Sequence, residues 1–117
     1  MYLLLSEREG EMSYRFMRIL VMFDLPVSST EERREYTKFR KYLIKNGFMM
    51  LQESVYCKLA QNNQAADAII ENIYKNHPPK GLVQAIKVTE KQYSKMEVIV
   101  GNVQTDVIDN DERILFL

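Results

Sequence analysis

Phe16-Met17-Arg18-Ile19-Leu20-Val21-Met22-Phe23-Asp24-Leu25-Pro26 is the stretch on which the rest of this chain turns. Residues 16–23 form an apolar run broken only by Arg18, as expected of a central strand covered on both faces. It stops at Asp24-Leu25-Pro26, because proline lacks a backbone donor and disfavours helical geometry at Leu25. The chain must turn there. Ser29-Thr30-Glu31-Glu32 then fits a capping box, with Ser29 as N-cap and Glu32 at the third helical position.

This helix is predicted from about Thr30 to Lys45, with Asn46-Gly47 as a left-handed stop. At roughly 100° per residue, Tyr36, Phe39 and Leu43 share an arc of roughly 60°, the core stripe. Arg34, Lys38, Lys41 and Lys45 share another arc of roughly 60° on nearly the opposite side.

Residues 48–51 and 54–59 read as two strands. In the second, Val55, Cys57 and Leu59 alternate with Tyr56 and Lys58, the period of a half-buried strand, which makes Cys57 a small core residue. Asn62-Asn63 caps a second helix running to about His77, with Ala66, Ile69, Ile70 and Ile73 buried. His77-Pro78-Pro79-Lys80-Gly81 ends it. Leu82 to Val88 is a further strand, and Thr89-Glu90-Lys91-Gln92 is a second capping box opening one short helical turn. Glu97 to Val100 and Arg113 to Leu117 are candidate short strands on either side of a polar stretch.

The order is β-α-β-β-α-β with a strand-bearing tail. That is an α+β, ferredoxin-like pattern, with both helices on one face of an antiparallel sheet. The other sheet face still carries apolar residues, and a second copy of the chain is its simplest cover, so a homodimer is expected. Residues 12–117 are read as a single domain, and residues 1–11 as an extension of no assigned function.

Composition narrows the function classes. The 117 residues carry 16 basic and 16 acidic side chains, so net charge is zero, but the charges are not evenly spread. Met12 to Ala60 is predominantly basic and the remainder predominantly acidic, a pointer towards an anionic partner. One cysteine, Cys57, excludes a disulfide framework within one chain, and one histidine, His77, makes a single-chain zinc site improbable. Apolar runs fall far short of the ~18 residues a membrane span needs, and no signal peptide is recognisable, so a soluble cytoplasmic protein is expected.

Two constellations carry chemistry. Asp24 stands just beyond a buried strand and before a proline turn, held rigidly near the surface. Magnesium is bound through one or two carboxylates plus substrate phosphates and water, so two copies of Asp24 across a two-fold axis suit it better than one. Such a metal would polarise a phosphodiester and activate water. Aspartate before proline is also ordinary turn chemistry. The second constellation is the basic arc of the first helix, with Arg33 and Arg40 flanking it and Arg15 and Arg18 in or before the first strand. Long cationic side chains in a row are what contact with a phosphate backbone requires; a solvated helix face is the plainer reading. Ser54 falls near the same edge as Asp24, or simply caps its strand. His77 reads as a helix C-terminal residue favoured by the dipole. Tyr36, Tyr42, Tyr56 and Tyr74 are possible base-stacking residues, although Tyr36 fits the core. No Walker motif, GxGxxG or nucleophile elbow is present.

In this order, Met12-Ser13-Tyr14-Arg15, Met17 to Pro26, Glu32-Arg33-Arg34 and Phe39-Arg40-Lys41 resemble the second core CRISPR adaptation protein in its type II form. Gly47-Phe48, Gln52, Ser54-Val55-Tyr56, Thr89, Lys91-Gln92 and Asp111 to Leu117 extend the resemblance over Met12 to Leu117. The resemblance implies a ferredoxin-like homodimer that bridges two dimers of the CRISPR integrase, the first adaptation protein. The assembly would capture a short DNA duplex and insert it into the CRISPR array. It also implies a metal-dependent nuclease acting on RNA or double-stranded DNA, with Asp24 as the catalytic, magnesium-binding residue. The tail strand near Arg113 to Leu117 would add to the partner subunit or to the integrase.

Three readings follow. The first is a structural clamp on duplex DNA that scaffolds the integrase. The second is a magnesium nuclease using paired Asp24 residues, and the third a ferredoxin-like regulatory dimer for a small ligand.

Overall fold

The structure is a computed structural model that describes residues 16–101. The N-terminal extension, Arg15 and the strand expected at Arg113 to Leu117 lie outside the described residues. Strand β1 (Met17–Asp24) leads to helix α1 (Thr30–Lys45), the strands β2 (Met49–Gln52) and β3 (Val55–Ala60), and helix α2 (Asn63–Lys75). Strand β4 (Leu82–Thr89) and the single-turn helix α3 (Glu90–Tyr93) complete it. The four strands lie in the order β2-β3-β1-β4, with every neighbouring pair antiparallel. This is the expected α+β, ferredoxin-like arrangement, with the apolar β1 in an interior position.

Burial alternates along β1. Met17, Ile19, Val21 and Phe23 are in the core, and the residues between them face the other side of the sheet. Phe23 is the centre of an aromatic cluster, meeting Tyr36 and Phe39 of α1 edge-on at 6.0 and 5.3 Å and Tyr56 of β3 in a stack at 5.7 Å. Each fully buried side chain of this size contributes about 1.5–3 kcal/mol relative to exposure. From the second helix, Ala66 and Ile73 reach the core, with Ile69 and Ile70 packed against it.

The helix ends follow local chemistry. Ser29 Oγ accepts the Glu32 amide at 3.1 Å and Glu32 Oε1 accepts the Ser29 amide at 3.1 Å, which closes the box on α1. Asn62 Oδ1 accepts the Ala65 amide at 2.7 Å on α2. That helix stops at Lys75, short of His77, where Asn76 caps it, its side-chain Nδ2 donating a hydrogen bond to the Asn72 carbonyl at 2.8 Å. The α3 capping box of Thr89 and Gln92 is formed as expected.

One expectation is refined, since Cys57 is buried as expected but not on the helix side, and one is corrected. On β3 it is Tyr56 that enters the core beneath α1, cross-strand from Val21. Cys57 is also fully buried, but opposite Leu20 on the sheet face away from the helices. Period-two patterning names two faces without saying which one the helices cover. In addition, Glu97 to Val100 forms no strand: Ile99 and Val100 are 85% and 90% exposed, and none of the described strands lies alongside to pair with them. A strand needs a ladder partner for its backbone groups, and a single copy supplies none at this place.

Among the described residues, none but the α3 cluster covers the face of the sheet away from the helices. Leu59, Leu82 and Ile86 project there from β3 and β4, at 46%, 54% and 50% exposure.

Candidate nucleic-acid interface and carboxylate edge

Helix α1 separates its charges. Arg34, Lys38 and Lys41 are exposed and, with Thr30, Arg33 and Thr37, line an open depression of about 630 Å³. Among the described residues no carboxylate belongs to this lining, and no ion pair or hydrogen bond engages those three side chains. The helix's acids, Glu31, Glu32 and Glu35, instead border a hollow of about 80 Å³ with Pro26, Pro79 and Lys80. Acids in the first turn also suit the positive end of the helix dipole. The cationic row is therefore free to meet an external anion.

The other predicted phosphate contacts are deployed differently. Arg33 folds back over the helix start, donating to the Val27 and Ser28 carbonyls at 3.0 and 3.2 Å. Arg40 donates from Nε to the phenolic oxygen of buried Tyr56 at 2.9 Å. Arg18 lies on the open sheet face, because its neighbours Met17 and Ile19 take the core side of the strand. Its Nε donates to Glu90 Oε1 at 2.6 Å, its guanidinium carbon sits 4.5 Å from the Tyr93 ring centre, and Nη1 reaches Cys57 Sγ at 3.4 Å. The Glu90 hydrogen bond holds that guanidinium even more firmly charged than usual, and burial raises the Tyr93 phenol. The structure thus parts Arg18 from the helical basic row. Glu90 and Tyr93 are the members of this cluster that sequence reasoning missed, since a capping box gives no hint of a partner so distant in the chain.

Asp24 is the last residue of β1 and is exposed. On one side it pairs with Leu82 of β4; on the other, the preceding Phe23 amide donates to the Ser54 carbonyl at 3.1 Å. Ser54 is a non-glycine residue at φ +70°, which costs about 1–2 kcal/mol. From the third direction Gly81, at φ +97°, presses on the turn. A Cβ there would lie 2.8 Å from the Asp24 carbonyl oxygen and 2.7 Å from Leu25 Cδ2, so only glycine fits. Three backbone neighbours thereby fix the Asp24 main chain. Its carboxylate makes no hydrogen bond or ion pair among the described residues. No group of three or more His, Cys, Asp or Glu side chains converges among them either. A single exposed carboxylate is compatible with magnesium's habit of binding one or two carboxylates and keeping water and phosphate. His77 is turned locally, its Nδ1 2.7 Å from the Pro78 carbonyl.

Among the described residues no helix is long and apolar enough to cross a membrane. The sequence pattern of the family described as CRISPR associated protein Cas2 matches residues 17–96, which spans β1 through α3. The chain is 54% identical over 101 residues to the CRISPR-associated endoribonuclease Cas2 of Treponema denticola, covering 86% of this chain and 100% of that one. It is 45% identical over 101 residues to the protein of the same name from Streptococcus mutans serotype c, covering 86% and 93%. For the Campylobacter jejuni protein of that name the identity is 44% over 103 residues, covering 88% and 72%. With the strand order, the aromatic core and Asp24 at the strand end already in place, these matches establish that the chain belongs to the Cas2 family of CRISPR-associated proteins.

Proposed function

We propose that this chain is a cytoplasmic adaptor of CRISPR spacer acquisition, a homodimer that grips duplex DNA and bridges dimers of the CRISPR integrase. The observation that carries the DNA-binding part is the row Arg34, Lys38 and Lys41, unpaired among the described residues and lining a depression without carboxylates. Phosphate backbones are held by such cations irrespective of base sequence. The uncovered apolar sheet face supports the dimer, and the integrase contact rests on the family resemblance. The test is duplex binding by fluorescence anisotropy over a range of salt concentrations. Replacing Arg34, Lys38 and Lys41 together by alanine weakens binding for all sequences alike and flattens the dependence on salt by up to about 0.9 per lost phosphate contact. Unchanged affinity and slope would show that the row faces something else, and a dimer with no duplex affinity at all would fit a regulatory module instead.

A second reading has its own support: the relatives are named endoribonucleases, and the Asp24 carboxylate is exposed and unpartnered. Asp24 would hold a magnesium ion, shared with Asp24 of a second copy, and the metal would polarise a phosphodiester and activate water. The protein's own part is to hold that carboxylate in place, through the Phe23–Ser54 hydrogen bond and the Gly81 contact, while the basic row retains the RNA or DNA strand. Asp24→Asn keeps the size of the side chain and removes its charge. It abolishes cleavage of RNA or duplex DNA with the dimer and DNA affinity intact, and it still supports spacer integration with the integrase. Loss of integration with intact assembly would make Asp24 chemistry essential to acquisition.

A further inference from the structure

The depression on α1 is lined by two short side chains, Thr30 and Thr37, set among the long cations Arg33, Arg34, Lys38 and Lys41. At about 100° per residue, Arg33 falls about 40° to one side of Thr37. Lys41 and Arg34 fall about 40° and 60° to the other side. Arg33 and Arg34 stand one turn before Thr37 and Lys41 one turn after it, so all three are its surface neighbours. A short polar residue thus lies between cations on both flanks. The two threonine hydroxyls are not equivalent. Thr30 Oγ1 accepts from Arg33 Nη2 at 3.4 Å, whereas Thr37 is exposed and no hydrogen bond among the described residues engages its hydroxyl. The Arg33 guanidinium is held by the Val27 and Ser28 carbonyls, so one flanking charge is set in place before any ligand arrives.

We infer that this depression seats one backbone phosphate of the bound duplex over Thr37, whose hydroxyl donates to a non-bridging phosphate oxygen. The inference deepens the duplex-binding reading of the basic row and rests on it. Long cations draw a phosphate in from many geometries, while a hydroxyl on a short side chain, carrying one donor, fixes where it sits. Threonine hydroxyls share this positioning role with Arg and Lys at nucleic-acid backbones.

The experiment follows a labelled duplex by fluorescence anisotropy with the full chain over a range of salt concentrations, with melting temperature measured in parallel. Thr37→Val replaces the hydroxyl by a methyl group, and the two residues have similar helix propensities. It weakens binding about threefold to tenfold at every salt concentration, with the slope against salt unchanged because no cation has been removed. Thr37→Ser keeps the hydroxyl and restores the affinity. Unchanged affinity in Thr37→Val overturns the inference, and so does an equal loss in Thr37→Ser, because the methyl group would then be what matters. A flattened salt slope or a large fall in melting temperature in Thr37→Val overturns it too, by making the effect one of displaced cations or of folding. The triple change of Arg34, Lys38 and Lys41 to alanine separates the two levels. If it weakens binding while Thr37→Val does not, only the Thr37 role fails; if it leaves affinity and slope unchanged, the reading of the basic row fails and the Thr37 role with it.

Discussion

Arg18 and Glu90, 72 positions apart in the chain, form a partly buried ion pair 2.6 Å long on the open face of the sheet. The Glu90 amide also donates to the Phe16 carbonyl at 2.8 Å, so the start of β1 and the start of α3 are fastened twice. Tyr93 lies against the guanidinium from the same short helix. This cluster fixes where the chain goes directly after β4.

Breaking the pair from one side strands the other charge. Glu90→Ala leaves Arg18, with only 19% of its side chain exposed, facing Cys57 and the Tyr93 ring. The expected loss is about 1–2 kcal/mol in urea unfolding, the lower part of the range for charged hydrogen bonds because Glu90 is one-third exposed. The double change Arg18→Met with Glu90→Ala recovers part of that loss. A null effect of Glu90→Ala would mean that the pair is a solvated contact only.

Gly81→Ala strikes the Asp24 turn through backbone alone. The added methyl meets main chain at 2.8 Å at a φ of +97°, so the turn must shift. Thermal unfolding should register a loss of about 2–3 kcal/mol. Full stability in this variant would show that the loop has room to relax.

Tyr42 links the two long helices: it stacks on Phe39 at 6.0 Å and its hydroxyl donates to Asn72 Oδ1. Burial raises its phenol above the ordinary value of about 10. The folded protein therefore keeps that proton at pH values where the unfolded chain has released it. This contribution to stability is complete below about pH 10 and is lost as pH rises through the folded-state value. Melting temperature measured from pH 8 to 11 should fall less steeply in Tyr42→Phe than in the unmodified protein.

The open sheet face gives a direct test of dimerisation. Ile86 is half exposed at the middle of β4, and Ile86→Arg places a charge where an apolar contact is expected. Light scattering should report about twice the 13.8 kDa chain mass for the unmodified protein and the single mass for the variant. A monomer in both cases would leave the face without a second copy.

Much of this architecture is written locally, and local rules were sufficient to read it. Ser29 with Glu32 and Thr89 with Gln92 are reciprocal caps made within four residues, so composition and spacing reveal them. The apolar run through Phe23 names an interior strand, and Tyr36, Phe39 and Leu43 name the face of α1 that packs on it. The basic row of α1 is equally local, because helical periodicity alone sets Arg34, Lys38 and Lys41 side by side. What the sequence conceals depends on strand register. Which side of β3 receives the helices, and hence that Tyr56 rather than Cys57 packs beneath them, is decided by pairing with β1. The diversion of Arg18 to Glu90 and of Arg40 to Tyr56 needs contacts across the sheet that no spacing encodes. Gly81 looks like a generic helix stop until the Asp24 carbonyl is found beneath it.

The division of charge along α1 also bears on how the molecule approaches a polyanion. A chain of zero formal charge feels little net pull towards nucleic acid from afar. Cations on one flank of the helix and acids on the other nevertheless give it an electric moment. Inside the roughly 8–10 Å over which salt leaves a field standing, that moment turns the basic flank inward and the acidic flank outward before any contact forms. For the duplex binding proposed above, orientation rather than attraction would then be the main electrostatic contribution to encounter.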